Sequence, residues 1–205
     1  ENGALIVNYV GHGGEKGFAH ERILDISTIK GWENINRLPV FMTATCELSR
    51  FDDPDFESAG ELIVMNPNGG GIAMLTTTRI VFSGSNHDLA EQFYRVALAD
   101  SANPELRLGD IARFTKNEGP NSSNTRNFSL LGDPAVAMAY PEKKVFTTHI
   151  NGEALTADMD TIRSLETVTV RGFVGDDQGN VLTGFNGFVY PSVYDKRDVI
   201  QVFNN

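Results

Sequence analysis

The 205-residue sequence predicts an α/β domain, with a mostly parallel sheet flanked by helices, followed by a smaller all-β module. Three observations carry this. From residue 4 to about 116, short β-branched and aromatic runs of buried-strand length alternate with helical patterns. After Pro141 no helical period occurs, and the pattern turns to strict alternation broken by Gly, Asp and Asn turns. Two of the early strand-like runs end in His12 and Cys46, and the crevice beyond the carboxyl ends of parallel strands is where ligands bind.

The elements follow in order. Residues 4–10 read as the first strand, and Gly11–Gly17 as a glycine-rich rim loop. His20–Trp32, with Ile23, Leu24, Ile26 and Ile29, predicts a short amphipathic helix broken near Ser27. Leu38–Thr45 is the second strand, and Cys46 opens a polar loop to Pro54 that is too charged to be buried. Asp55–Met65 is a helix stopped by the turn Asn66-Pro67-Asn68-Gly69-Gly70-Gly71, which matches no phosphate-loop spacing. Ile72–Thr77 is the third strand. Helices are expected over Asn86–Ala99, capped by Ser85 or Asn86, and over Glu105–Lys116. Asn117–Asn127 is a polar loop, Phe128–Leu131 a strand, and Asp133 before Pro134 a turn-stabilising residue. Beyond Pro141, strands are expected at Val145–Ile150, Glu166–Val174 and Phe185–Val193, as a small β-sandwich.

Composition narrows the function. A 40% hydrophobic fraction suits a real core, and a net charge of −10 matches nucleic-acid phosphates poorly. No apolar run approaches the roughly 18 residues of a transmembrane helix. The single cysteine forms no internal disulfide, and with four histidines it is too sparse for a structural zinc site.

The chemistry-bearing residues gather at the predicted strand ends. A thiol beside an imidazole is the minimal constellation for cysteine nucleophilic catalysis, because the base generates the attacking thiolate. The glycines after His12 leave backbone N–H groups open to a ligand. Glu15 could orient the His12 ring or meet a basic substrate group, and a solvated carboxylate is the plainer reading. Glu47 and Arg50 in the Cys46 loop, with Thr77, Thr78 and Arg79 at the end of the third strand, complete the candidate substrate cleft. Either arginine could bind a substrate carboxylate bidentately or pair with nearby aspartates. No organic cofactor is called for. Calcium is admitted as a structural ion through Asp52, Asp53 and Asp55, although a solvated acidic loop is the simpler reading.

Asn8-Tyr9-Val10-Gly11-His12-Gly13-Gly14 and Ala44-Thr45-Cys46 resemble the gingipain family of cysteine peptidases. That family has a caspase-like catalytic domain followed by an immunoglobulin-like module. The spacing of 34 residues between His12 and Cys46 is in keeping with it. Thr43–Pro54, Asn66–Gly70, Leu75–Arg79 and Asn127–Pro134 resemble more closely its branch of C-terminal signal peptidases in the type IX secretion system of Bacteroidetes. Asp177–Leu182 and Tyr190–Lys196 are similar to the β module of that branch.

The resemblance implies Cys46 as nucleophile, His12 as catalytic base and acid, and the N–H groups of Gly13 and Cys46 as oxyanion hole. It implies residues 1–140 as the caspase-like domain and 141–205 as the immunoglobulin-like module, complete or truncated. The protein is then expected at the outer membrane of the bacterial envelope, facing outward with other type IX components. It would cleave C-terminal sorting domains from secreted cargo. The acyl-enzyme would pass to water or to an amine on anionic lipopolysaccharide. A non-catalytic caspase-like scaffold and a broader gingipain-like protease are the alternatives. Family members carry further strands and acidic residues before the His strand, with part of the specificity pocket and a candidate third catalytic residue among them. The chain is therefore expected to be poorly active or to self-associate through its first strand.

Overall fold

A computed structural model of the chain describes residues 3–98, 106–156, 162 and 165–192. The chain divides into two compact units, Glu1–Tyr140 and Pro141–Asn205.

The first unit is built on a four-stranded sheet. β1 (Ile6–Val10) pairs in parallel with β5 (Val40–Ala44), which pairs in parallel with β6 (Ala73–Thr77). β7 (Phe128–Gly132) closes the far edge antiparallel to β6, so the sheet is mixed. Every residue of β5 and β6 is buried, because helices cover both faces; this is why the two strands read as unbroken apolar and threonine runs. Val40, Met42 and Ala44 turn to one layer, with α3 (Ser83–Ala97) and α4 (Leu108–Glu118) supplying Leu89, Phe93 and Ile111. Phe41 and Met74 turn to the other, against Ile29 of α1 (Ile26–Lys30) and Leu62 and Ile63 of α2 (Ala59–Met65).

Several expectations shift. The loop after β1 is a small antiparallel sheet of β2 (Gly13–Gly14), β3 (Gly17–Phe18) and β4 (Leu24–Asp25). The helix expected over His20–Trp32 is thereby cut to five residues, N-capped by the Asp25 side chain on Thr28 N–H. α2 begins at Ala59 behind a Ser58/Glu61 capping box, which outweighs the apolar pattern read from Asp55. α3 begins three residues before Asn86. Its entry is held not by Ser85 but by Asn124 of α5 (Ser123–Arg126), which accepts from Phe82 N–H and donates to Phe82 C=O. Asn86 is buried against that same Asn124. Asp133 accepts Ala135 N–H at 2.8 Å, the side-chain turn its place before Pro134 suggested.

In the second unit, β8 (Lys144–Ile150) lies between β9 (Glu153–Ala154) and β10 (Val170–Gly175) in an antiparallel sheet. The strand expected from Glu166 begins at Val170, and the register of β10 against β8 shifts between Arg171 and Gly172. Phe146 and Phe173 stack at 5.1 Å, and Asp176 organises the next turn by accepting the Gln178 and Asn180 N–H groups. Residues 185–192 hold no strand; Val193, the end of the run expected there, lies outside the described residues.

Candidate active site

The site is set by register. Val10 pairs with Ala44 at the ends of parallel β1 and β5, and Gly11 N–H continues the ladder to Ala44 C=O at 3.3 Å. His12 and Cys46 each follow two residues later. The pairing therefore puts residues 12 and 46 just beyond the same end of two neighbouring strands. His12 is exposed and Cys46 half-buried.

Each turn is shaped by close approach. A methyl group at Gly11 would stand 2.9 Å from the Tyr9 hydroxyl, and one at Gly13 would overlap the Thr45 hydroxyl. Cys46 follows Thr45, whose carbonyl accepts the buried Thr77 hydroxyl. The Cys46 Sγ donates to the Val81 carbonyl at 3.6 Å. Glu47 sits at φ +49°, a left-handed conformation that costs a residue with a β-carbon about 1 kcal/mol or more. Hydrogen bonds around it hold that strain: Glu47 N–H to Arg79 C=O (3.3 Å), Ser49 N–H to Thr77 C=O (3.0 Å) and Gly60 N–H to Leu48 C=O (2.8 Å). Leu48 and Ser49 are wholly buried, so the segment after Cys46 is anchored in the core rather than lying on the surface throughout.

Two N–H groups remain for a ligand. Ala19 N–H donates to His12 C=O at 2.8 Å, which makes that pair a bonded one in the β2/β3 ladder. Antiparallel pairs alternate, so Gly13 opposite Phe18 is a non-bonded pair and its N–H turns away from β3. Cys46 N–H has no acceptor among the described residues.

The other candidates are largely engaged with one another. Glu15 accepts from Arg50 at 2.7 Å, so its carboxylate braces the Cys46 loop instead of orienting the His12 ring. That bond raises the Arg50 pKa. Arg79 holds Asp52 through both nitrogens, at 3.0 and 2.5 Å, and this holds the Asp52 carboxyl below its usual range. Thr77 is buried on Thr45, and Thr78 bonds Asn127 C=O through its N–H (2.9 Å) and hydroxyl (3.2 Å). Both threonines support the edge from beneath. Asp53 accepts Asp55 N–H, and among the described residues no three acidic or thiol or imidazole groups converge. Of the three aspartates named as calcium candidates, Asp52 serves Arg79 and Asp53 a local turn.

A cleft of about 740 Å³ opens beside the edge, walled by His12, Gly14, Glu15, His20, Arg22 and Glu47 among others. The Cys46 thiol does not line it; register, rather than the cleft, locates the chemistry. Asp25 forms part of its wall, its carboxyl held down to about 2 by Thr28 N–H and the Ser27 and Thr28 hydroxyls. Tyr9, Thr45, Val81 and the His20–Asp25 wall escaped the sequence reading. Each acts through a contact made only on folding, and only Tyr9, next to the Gly-His-Gly run, carried a local sign.

A mixed sheet whose neighbouring parallel strands end in an imidazole and a thiol, with helices on both faces, is the gingipain-like α/β fold. The chain belongs to peptidase family C25, which residues 1–139 match. The complex of the pro- and mature domains of Porphyromonas gingivalis RgpB is similar at a TM-score of 0.59 and 16% identity, covering 71% of this chain and 37% of that one. The Arg-specific cysteine proteinase gingipain R (RgpB) is similar at 0.56 and 17%, covering 71% and 36%. A third structure, described as a protease, gives 0.54 and 15%, covering 82% and 42%. This chain thus spans well under half the length of the structures it matches. No curated protein sequence matches it.

Proposed function

We propose that this chain is the Cys–His part of a C25 cysteine peptidase that removes C-terminal sorting domains from secreted cargo, as PorU does in type IX secretion. The observation that supports the catalytic reading is the Val10/Ala44 register, since His12 and Cys46 each come two residues after the end of one of these adjacent parallel strands. In this reading His12 takes the Cys46 proton and the thiolate attacks the scissile carbonyl. The Gly13 and Cys46 N–H groups stabilise the oxyanion, and His12 returns the proton to the leaving amine. The finer assignment to the signal-peptidase branch is supported by the runs Thr43–Pro54 and Asn127–Pro134. With it come an outward-facing place at the outer membrane, other type IX components as partners, and acyl transfer to water or to an amine on anionic lipopolysaccharide. The second unit is then an immunoglobulin-like module, supported by its β10-β8-β9 sheet.

One observation favours a second reading, a non-catalytic scaffold: the Cys46 thiol donates to Val81 C=O rather than to His12. The pH dependence of iodoacetamide alkylation separates the two. A free thiol titrates near about 8.5, whereas a His-paired thiolate reacts well below that. Alkylation persisting at low pH, and lost in His12→Ala, supports the peptidase. Free-thiol behaviour in both proteins supports the scaffold.

A further inference from the structure

The His12 carbonyl oxygen accepts two hydrogen bonds, from the Tyr9 hydroxyl at 2.6 Å and from Ala19 N–H at 2.8 Å. That oxygen is one end of a planar peptide unit whose other end is the Gly13 N–H. In a trans unit the two point in opposite directions, so fixing the oxygen fixes the N–H. The fixing matters here because glycine adopts conformations that would let this peptide rotate.

Tyr9 is itself held in place. It pairs with Thr43 in the β1/β5 ladder, and its ring stacks on the buried Phe18 ring at 4.0 Å with a 7° interplanar angle. Gly11 leaves the space its hydroxyl occupies. The hydroxyl reaches the backbone of His12, three residues on, without touching the imidazole or the thiol in any described hydrogen bond. We infer that Tyr9 is a positioning residue of the oxyanion hole: by donating to His12 C=O it aims the Gly13 N–H at the substrate carbonyl oxygen. This rests on the peptidase reading above.

The test uses two probes of one sulfur. With p-nitrophenyl acetate, the Cys46 thiolate attacks the acetyl carbon and the carbonyl electron pair moves onto oxygen. The oxyanion then collapses and expels p-nitrophenolate, leaving an S-acetyl group. With iodoacetamide, the same thiolate displaces iodide at a saturated carbon and no oxyanion forms. The chain has a single cysteine, so both rates, less the background of Cys46→Ala, report on Cys46. Tyr9→Phe keeps the stacked ring and removes only the hydroxyl. It is expected to slow acetylation about 10-fold while leaving alkylation within about twofold, a partial loss of aim rather than of a donor. Tyr9→Leu also loses the stack and is expected to slow both. Acetylation unchanged in Tyr9→Phe overturns the inference, as does a proportionate fall of both rates in that variant. If the unsubstituted chain already alkylates as a free thiol and matches His12→Ala, the peptidase reading fails and takes the inference with it. That result is read before any Tyr9 variant is made.

Discussion

Gly13 and Thr45 meet across the gap between the His12 turn and the Cys46 turn, so closely that a β-carbon on residue 13 would overlap the threonine hydroxyl. That hydroxyl is buried and without a hydrogen-bond partner among the described residues. The contact joins the residue after the proposed base to the residue before the proposed nucleophile. The Thr45 side chain sits directly against the Gly13 backbone where the two turns meet.

Gly13→Ala is therefore expected to destabilise the first unit by about 1–3 kcal/mol, the usual range for overpacking, since Gly17 C=O also stands 2.9 Å from the added carbon. Gly14→Ala is the control, because nothing lies within 4 Å of a β-carbon there. Urea unfolding of the two variants should separate them, with Gly14→Ala close to the unsubstituted chain. Equal midpoints for both would contradict the contact.

Arg50 and Glu15 link the Cys46 loop to the hairpin after His12 at 2.7 Å, and Glu15 C=O also accepts Ala59 N–H at 2.7 Å. The Arg50 side chain is 42% exposed, so the pair contributes little to global stability. Arg50→Met should leave the melting temperature nearly unchanged. Amide hydrogen exchange should nonetheless speed up in residues 13–18 and 47–53. Protection unchanged in both segments would show that the backbone bonds suffice without the ion pair.

Asp25 contributes a pH dependence of its own. Its folded pKa is lowered from 3.8 to about 2, first by Thr28 N–H and then by the Ser27 and Thr28 hydroxyls. A depressed carboxyl contributes stability that is fully present above its unfolded pKa and lost as pH falls through its folded one. The loss should fall between about pH 4 and 2. Asp25→Asn should flatten the urea midpoint against pH in that window relative to the unsubstituted chain; parallel curves would remove Asp25 from the account.

β1 is an edge of the sheet among the described residues. Leu5 C=O accepts Val40 N–H and Gly11 N–H donates to Ala44 C=O, so the odd-numbered residues bond β5. Ile6, Asn8 and Val10 then turn their backbone groups to the open side, with Asn8 and Val10 exposed. Such an edge pairs readily with another strand, and a lysine on it opposes pairing. The 205-residue chain is expected to self-associate in sedimentation velocity, and Asn8→Lys to shift it toward monomer. A monomer with full peptidase turnover would sink this prediction.

The buried strands, the two dyad candidates beyond their ends and the change of texture at Pro141 are all legible in local sequence pattern. Val40–Ala44 and Ala73–Thr77 are legible because strands covered on both faces need apolar or threonine side chains at nearly every position. The Asp133 turn is legible because its hydrogen bond spans two residues. Tertiary structure alone decided the rest. The small β2–β4 sheet took Leu24 and Asp25 out of a predicted helix because they pair with Phe18 and Gly17, which helical periodicity does not register. α3 is capped from Asn124, 42 residues from the Phe82 backbone it binds. Glu15, Arg50, Asp52 and Arg79 all had plausible chemistry in sequence, and folding paired Glu15 with Arg50 and Asp52 with Arg79. Local pattern reports which side chains want burial and where a chain turns. Which polar group meets which, and so whether it faces a substrate or a neighbour, depends on strand register and loop approach between distant segments.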